Sequence, residues 1–169
     1  IEAVDDKYVK KRKDLFGDHK HNLWKCGWGA TLNYNDRNNV SFHADDDSSN
    51  NYTYELKSNT ENFEAAKAQL LEFMKNVTER NGQDFHDWIA SVCDVRLLLR
   101  TYAVNVVVGM WDDYWNNSNN FYIYFNSSDK DNYQFFFIPY DYDNTLGTSH
   151  NSGVQSDTGR QDPLNWGDT

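Results

Sequence analysis

Apolar positions recur at helical spacing through most of the chain and at strand spacing near its end. Val4, Tyr8 and Leu15 share one side of residues 5–16 and the basic run "KYVKKRKD" takes the other, which predicts a helix stopped by Gly17. "NLWKCGWGATLNYND" reads as a strand and turn, "DRNNVSFHADDDSSNN" as a polar surface loop, and the alternating "YTYELK" as a strand over 52–57. Ser58 and Glu61 have capping-box spacing. The helix behind them carries Phe63, Ala66, Leu70, Met74 and Val77 on one stripe, widened by Leu71 and Phe73, and Asn81-Gly82 ends it. Phe85, Trp88, Ile89 and Val92 mark a second helix. Asp94 caps a third that runs to about Met110, with Val95, Leu98, Leu99, Tyr102, Val106 and Met110 as its expected buried face.

The pattern then changes. "WDDYWNNSNN" is a polar loop, "FYIYF" a strand, "NSSDKDN" a turn and "YQFFFIP" a second strand. The two strands predict an antiparallel hairpin with a connection longer than the common two to five residues. One acidic loop, with Asp112 and Asp113, leads into the hairpin, and another, with Asp141 and Asp143, leaves it. Both ends of a hairpin lie together, so the two loops are expected to meet. No internal repeat is evident. The tail after Gly147 has few apolar residues and is expected to pack loosely. The expected fold class is α+β, mostly helical, with a functional hairpin.

The 169 residues suffice for one domain with a sizeable core. A start at Ile1 without methionine and a polar, Gly-containing end read as an excerpt truncated at both ends. A net charge of −10 and a pI near 4.8 argue against a general nucleic-acid binder, which needs basic contacts to phosphate. The basic run at 7–14 reads as the solvated face of its helix. The longest apolar stretch, "VRLLLRTYAVNVVVGMW", is interrupted by Arg96, Arg100 and Asn105, so no membrane span is expected. Cys26 and Cys93 lack a CxxC partner and read as two buried thiols or one disulfide. His19, His21, His43, His86 and His150 show no ligand spacing. Sequons begin at Asn39, Asn51, Asn76, Asn116 and Asn126 and would permit glycosylation of an exported protein. Trp24, Trp28, Trp88 and Trp111 read as core or cleft walls.

"FFFIPYDYDNTLG" carries the sharpest chemical candidate. In an extended segment residues i and i+2 point the same way, so Asp141 and Asp143 would aim two hard oxygen ligands at one Mg²⁺. The plainer reading makes both turn formers beside Pro139 and Asn144. An EF-hand loop starting at Asp141 would place Leu146 where glycine is required and Ser152 where a bidentate Glu is required, so it fails. The local DxDxT pattern resembles haloacid-dehalogenase-type phosphatases, but no Rossmann-like continuation with its downstream Lys follows. A two-carboxylate glycosidase has no further support. Protein kinases run from a long helix to an Asp, a following Asn, a short hairpin and a metal-binding Asp followed by Gly. This chain has that order: helix 95–110, Asp112 or Asp113, Asn120, hairpin 121–138, Asp141.

Six segments in order resemble the CotH kinase family: "IEAVDDKYVKKRKDLFG", "NLWK", "YELKSN" with its helix, "DVRLLLRTYAVNVVVGMWDDY", "NNFYIYF" and "FFIPYDYDNTLG". The resemblance implies an atypical protein-kinase-like fold, represented here by a partial domain over 1–169 that lacks the upstream nucleotide-covering sub-lobe. It implies ATP with Mg²⁺ or Mn²⁺ as cofactors and a protein substrate with a Ser or Thr acceptor. The implied location is extracellular, at a cell surface or in a spore coat. Carried over by position, Asp112 is the catalytic Asp, Asn120 the Asn assisting the metal, and Asp141 the metal and nucleotide ligand, with Asp143 a second ligand or an orienting group. Asp113 competes with Asp112. Asn117, at the usual kinase spacing from Asp112, competes with Asn120. Lys25 and Lys57 lie on strands and read as surface lysines, the nucleotide-pairing Lys being expected upstream. A non-catalytic surface or adhesion module on the same fold is the rival reading.

Overall fold

The structure, a computed structural model, describes residues 2–44, 52–129, 132–146 and Leu164. The expectations for Asn51, Gly147, His150, Ser152 and the tail lie outside these residues. The architecture is mixed α+β. Its centre is a five-stranded sheet in the order β2-β3-β1-β4-β5, built from β1 (Asn22–Cys26), β2 (Phe42–Ala44), β3 (Tyr54–Leu56), β4 (Phe121–Asn126) and β5 (Gln134–Pro139). Among these strand pairs only β2–β3 is parallel. The sheet is larger than the expected hairpin. "NLWK" becomes its central strand, paired to β4 from Asn22↔Phe125 to Cys26↔Phe121. β2 lies in a segment read as pure loop. A mainly antiparallel sheet is also not the parallel sheet a haloacid-dehalogenase-type phosphatase requires.

Both faces of the central strands are covered, so β4 shows no polar alternation: Phe121 to Phe125 are all buried. Phe121, Ile123 and Phe125 join Trp24, Cys26, Tyr54 and Leu56 against α3 (Phe63–Glu79) and α4 (Gly82–Val92). α3 contributes Ala66, Leu70, Phe73 and Met74, the stripe its periodicity predicts. Phe73 stacks on Phe135 at 4.4 Å between ring centroids and meets Phe125 edge-on at 5.4 Å. Such pairs add about 0.5–1.5 kcal/mol each beyond area burial. On the opposite face Leu23, Tyr122, Tyr124 and Ile138 close on Val4, Val9 and Phe16.

Three local expectations change. Residues 5–16 form two short helices, α1 (Asp6–Lys11) and α2 (Lys13–Phe16), broken at Arg12; Val9 and Phe16 point inward and Leu15 is half exposed. Ser58 caps nothing on α3. Its Oγ accepts from Leu23 N (3.1 Å) and donates to His21 O (2.5 Å), tying β1 to the end of β3. α5 (Val95–Val107) turns Leu98, Tyr102 and Asn105 inward, while Leu99 is 63% exposed. A helix that touches the sheet mainly at its β5 edge buries a narrow stripe, and apolar composition alone did not show which one. Cys26 and Cys93 are free buried thiols, and burial raises both, Cys93 to about 11. Lys7, Lys10, Lys11 and Lys13 are exposed, as expected of the basic run. Among the described residues no helix is long and apolar enough to cross a membrane.

Gly17 follows α2 with φ +76°, and a Cβ there would clash with Asn126 Nδ2, which donates to Phe16 O at 2.8 Å. Gly17→Ala is therefore expected to cost at least the ~1–3 kcal/mol of a strained backbone position, read from urea unfolding. Gly29→Ala, where φ is +82° but a Cβ meets nothing within 4 Å, should cost less. Equal losses would show that the Asn126 contact does not matter.

Candidate active site

Helix α5 ends in a Schellman motif. Met110 N donates to Asn105 O (2.9 Å) and Gly109 N to Val106 O (3.1 Å), with Gly109 left-handed at φ +65°. The turn aims buried Met110 and Trp111 inward and delivers Asp112 to the start of the hairpin. Asp113 then caps the short helix α6 (Tyr114–Asn117), its Oδ1 accepting from Asn116 N at 3.2 Å. Tyr114 meets Phe121 edge-on at 5.2 Å, and Phe121 stacks on Phe137 at 5.1 Å, so α6 is seated on the sheet.

The second loop is stitched to the first. Tyr140 N donates to Asn120 O (3.1 Å), one step beyond the Phe121↔Pro139 pair. Leu146 N donates to Val108 O (2.7 Å), and Tyr142 Oη donates to Asn105 Oδ1 (2.6 Å). The expectation that the two acidic loops meet at one end of the hairpin is met.

The geometry separates neighbours that the sequence left tied. Asp113 is buried, and besides capping α6 its Oδ2 accepts from Asn105 Nδ2 at 2.9 Å. Burial raises its carboxyl, opposed by Asn105 and by the backbone N–H groups of Asn116 and Trp115. Asp112 faces a ring of amides. Asn117 Nδ2 donates to its Oδ1 at 2.6 Å, Asn119 Nδ2 to the same oxygen at 3.3 Å, and Asn120 Nδ2 to its Oδ2 at 2.9 Å and its carbonyl at 3.0 Å. Asn117 and Asn120 are thus both first neighbours of Asp112.

Asp141 and Asp143 are not on an extended segment. Asp141 is left-handed (φ 59°, ψ 64°) and Tyr142–Asn144 form a 3₁₀ turn, because the chain folds back onto the end of α5. The i, i+2 alignment expected of the pair does not occur. Asp143 is exposed and Asn144 points inward instead, its Nδ2 3.5 Å from Asp112 Oδ2, at the limit of a hydrogen bond. Asn144 Oδ1 is buried without a hydrogen-bond partner. Partial burial raises the Asp141 carboxyl above its usual range; Asp143 and then Asp112 add to the shift, and Lys25 opposes it. Sequence reasoning missed Asn105, Asn144 and Tyr142 as site residues. An Asn inside an otherwise apolar helix was the signal for the first.

Among the described residues no group of three or more His, Cys, Asp or Glu side chains could hold a metal. The donor chemistry still fits a hard divalent cation. All candidate donors are oxygens, the acids repel one another, and the orphaned Asn144 Oδ1 seeks a positive partner. Mg²⁺ is usually held by one or two carboxylates plus substrate phosphates.

Fold and site together define a mixed α+β protein with two acid-bearing loops joined at one end of a hairpin. A family model described as CotH kinase protein matches residues 1–169, the whole chain. The chain belongs to the CotH kinase family, and the family points to a kinase-like function. No curated protein matches the chain.

The split between the two aspartates is testable. Asn105→Ala removes the partner of buried Asp113 and the acceptor of Tyr142, and should cost about 1.5–3 kcal/mol in chemical unfolding. Asp112→Asn, which leaves that network intact, should unfold within about 1 kcal/mol of wild type. The reverse ranking would mean that Asp112 is the structural acid.

Proposed function

We propose that the protein is a metal-dependent kinase that transfers the ATP γ-phosphoryl group to Ser or Thr hydroxyls of secreted, coat or surface proteins, with residues 112–120 and 141–144 as its two catalytic loops. The observation that carries this reading is the different use of two adjacent acids. Asp113 is consumed by structure. Asp112 is held in orientation by Asn117, Asn119 and Asn120.

In this reading Asp112 aligns the acceptor hydroxyl and takes its proton as the new O–P bond forms and the bond to the ADP oxygen breaks. Asp141, with the free oxygens of Asn120 and Asn144, would hold Mg²⁺ or Mn²⁺. The cation supplies charge neutralisation on the phosphates, the main demand of phosphoryl transfer. Asp143, exposed beside Asp141, tunes the local field. The amide ring serves positioning, because a misdirected carboxylate loses the near-attack geometry.

Phosphate transfer from labelled ATP to a Ser-rich acceptor, with Mg²⁺ or Mn²⁺, tests this in the full-length protein. Asp112→Asn and Asp141→Ala should each lower transfer by about 100-fold or more, and Asp143→Ala by less than about 10-fold. Undiminished transfer by Asp141→Ala would sink the assignment of the second loop. No transfer by wild type would favour a binding module on the same fold.

A further inference from the structure

Beside the candidate site the sheet has an open edge. β5 is its last strand, and past a single parallel bridge between Cys93 and Phe135 no described strand pairs with its outer side. An apolar groove of about 160 Å³ lies along that edge. Its floor is Phe135 to Pro139; Leu15 and Phe16 of α2 form one wall, and Leu97 and Leu98 of α5 form the other. Leu15 and Leu97 remain 50% and 37% exposed at the two lips. An open strand edge presents backbone donors and acceptors in a row, and apolar lips offer burial to the side chains of an added strand. Pro139, at one end of the floor, stands two residues before Asp141. Tyr140, between them, donates from its backbone to Asn120, whose side chain donates to Asp112. The groove therefore leads to the two acid loops.

Charge decides among occupants. Lys7, Lys10 and Lys13 on α1 and α2, with Arg96 and Arg100 on α5, are exposed and make no ion pair among the described residues. Arg100 falls on the same side of α5 as Leu97, three residues on. Lys11 and Arg12 share one acid, Glu2, and Arg12 lies over the ring of Tyr8, which is itself part of the groove wall. Acids on these elements are fewer: Asp6 and Asp14, with Asp5 and Asp94 used as helix caps. The result is a basic band on a chain of net charge −10. A second copy paired edge to edge would set these cations against one another, whereas an acidic segment would neutralise them.

We propose that the groove holds an extended acidic segment of the protein substrate, paired to β5 as a sixth strand, with the acceptor Ser or Thr a few residues further on at Asp112. The inference rests on the kinase reading and adds to it the place where the substrate docks. Alternate side chains of the added strand point to opposite lips, one set toward Leu15 and the other toward Leu97. Its flanking acids meet the cations of α1, α2 and α5.

Fluorescence anisotropy on the full-length protein tests the docking. The probe is a labelled peptide of four Val residues flanked on each side by two Glu and followed by Gly-Ser. At low salt it should bind about 10-fold tighter than the same peptide with Lys for Glu, and the difference should shrink at high salt. N-methylation of its Val residues, which removes backbone donors, should weaken it about 10-fold, and so should Leu15→Gln combined with Leu97→Gln in the protein. In that variant KM for phosphorylation of the peptide should rise about 10-fold, with transfer to a free Ser-Gly dipeptide unchanged. Equal binding of the Glu and Lys peptides, or of the N-methylated one, overturns the docking and leaves the kinase reading to its own transfer assay. A dimer that the double variant dissolves overturns it too, as does hydrogen exchange at Phe136–Ile138 that the peptide leaves unchanged. Binding without phosphorylation, in a protein that phosphorylates other Ser acceptors, overturns the substrate role alone. Absence of transfer to any acceptor overturns the kinase reading with it.

Discussion

One buried amide holds the site in register. Asn105 is 1% exposed on α5, and its side chain donates to Asp113 of the first loop and accepts from Tyr142 of the second. Its carbonyl accepts the Schellman bond that turns the chain toward Asp112. A polar side chain in that position is tolerable only because both its oxygen and its nitrogen are hydrogen-bonded. One residue therefore ties the end of α5 to the α6 cap and to the 3₁₀ turn after Asp141. Such a network is costly when incomplete, and the cost favours a single arrangement of two loops separated by a whole hairpin.

The sheet explains why the hairpin is a stable platform. A two-stranded hairpin is marginal in water. Here β4 is an inner strand, bonded to β1 on one side and β5 on the other, and covered on both faces. The aromatic residues of "FYIYF" serve both cores at once. The register that places Phe121 opposite Pro139 is fixed by burial, since a slip of one residue would swap Phe121, Ile123 and Phe125 with Tyr122 and Tyr124. That register sets Asn120 beside Tyr140 and so brings the acids together.

Much of this was legible from local pattern. The α3 stripe, the short α4, the hairpin and the meeting of its two loops follow from spacing that one segment carries by itself. The joining of β1 to β4 across almost a hundred positions was not, because strand pairing at that distance leaves no local mark beyond alternation. Leu99 was placed inward because composition cannot show where an apolar helix meets its sheet. Of the two readings of Asp141 and Asp143, the extended one gives way to the turn, because hydrogen bonds from Tyr142 and Leu146 back to the α5 end bend the chain there. Asp112 and Asp113 could not be ranked from sequence. Their separation depends on Asn105, one helix away.

The charge pattern of the site has its own logic. Three acids gather at one hairpin end, and at Asp141 burial raises the carboxyl first, with Asp143 and Asp112 adding to the rise. Three amides donate to the Asp112 carboxylate, and Asp143 is exposed to solvent. Asp141 has neither remedy in full: it is partly buried, and both acids push its carboxyl up while Lys25 opposes them. Asparagine recurs around the cluster because an amide offers a donor to the carboxylate and an oxygen to a cation, without adding charge.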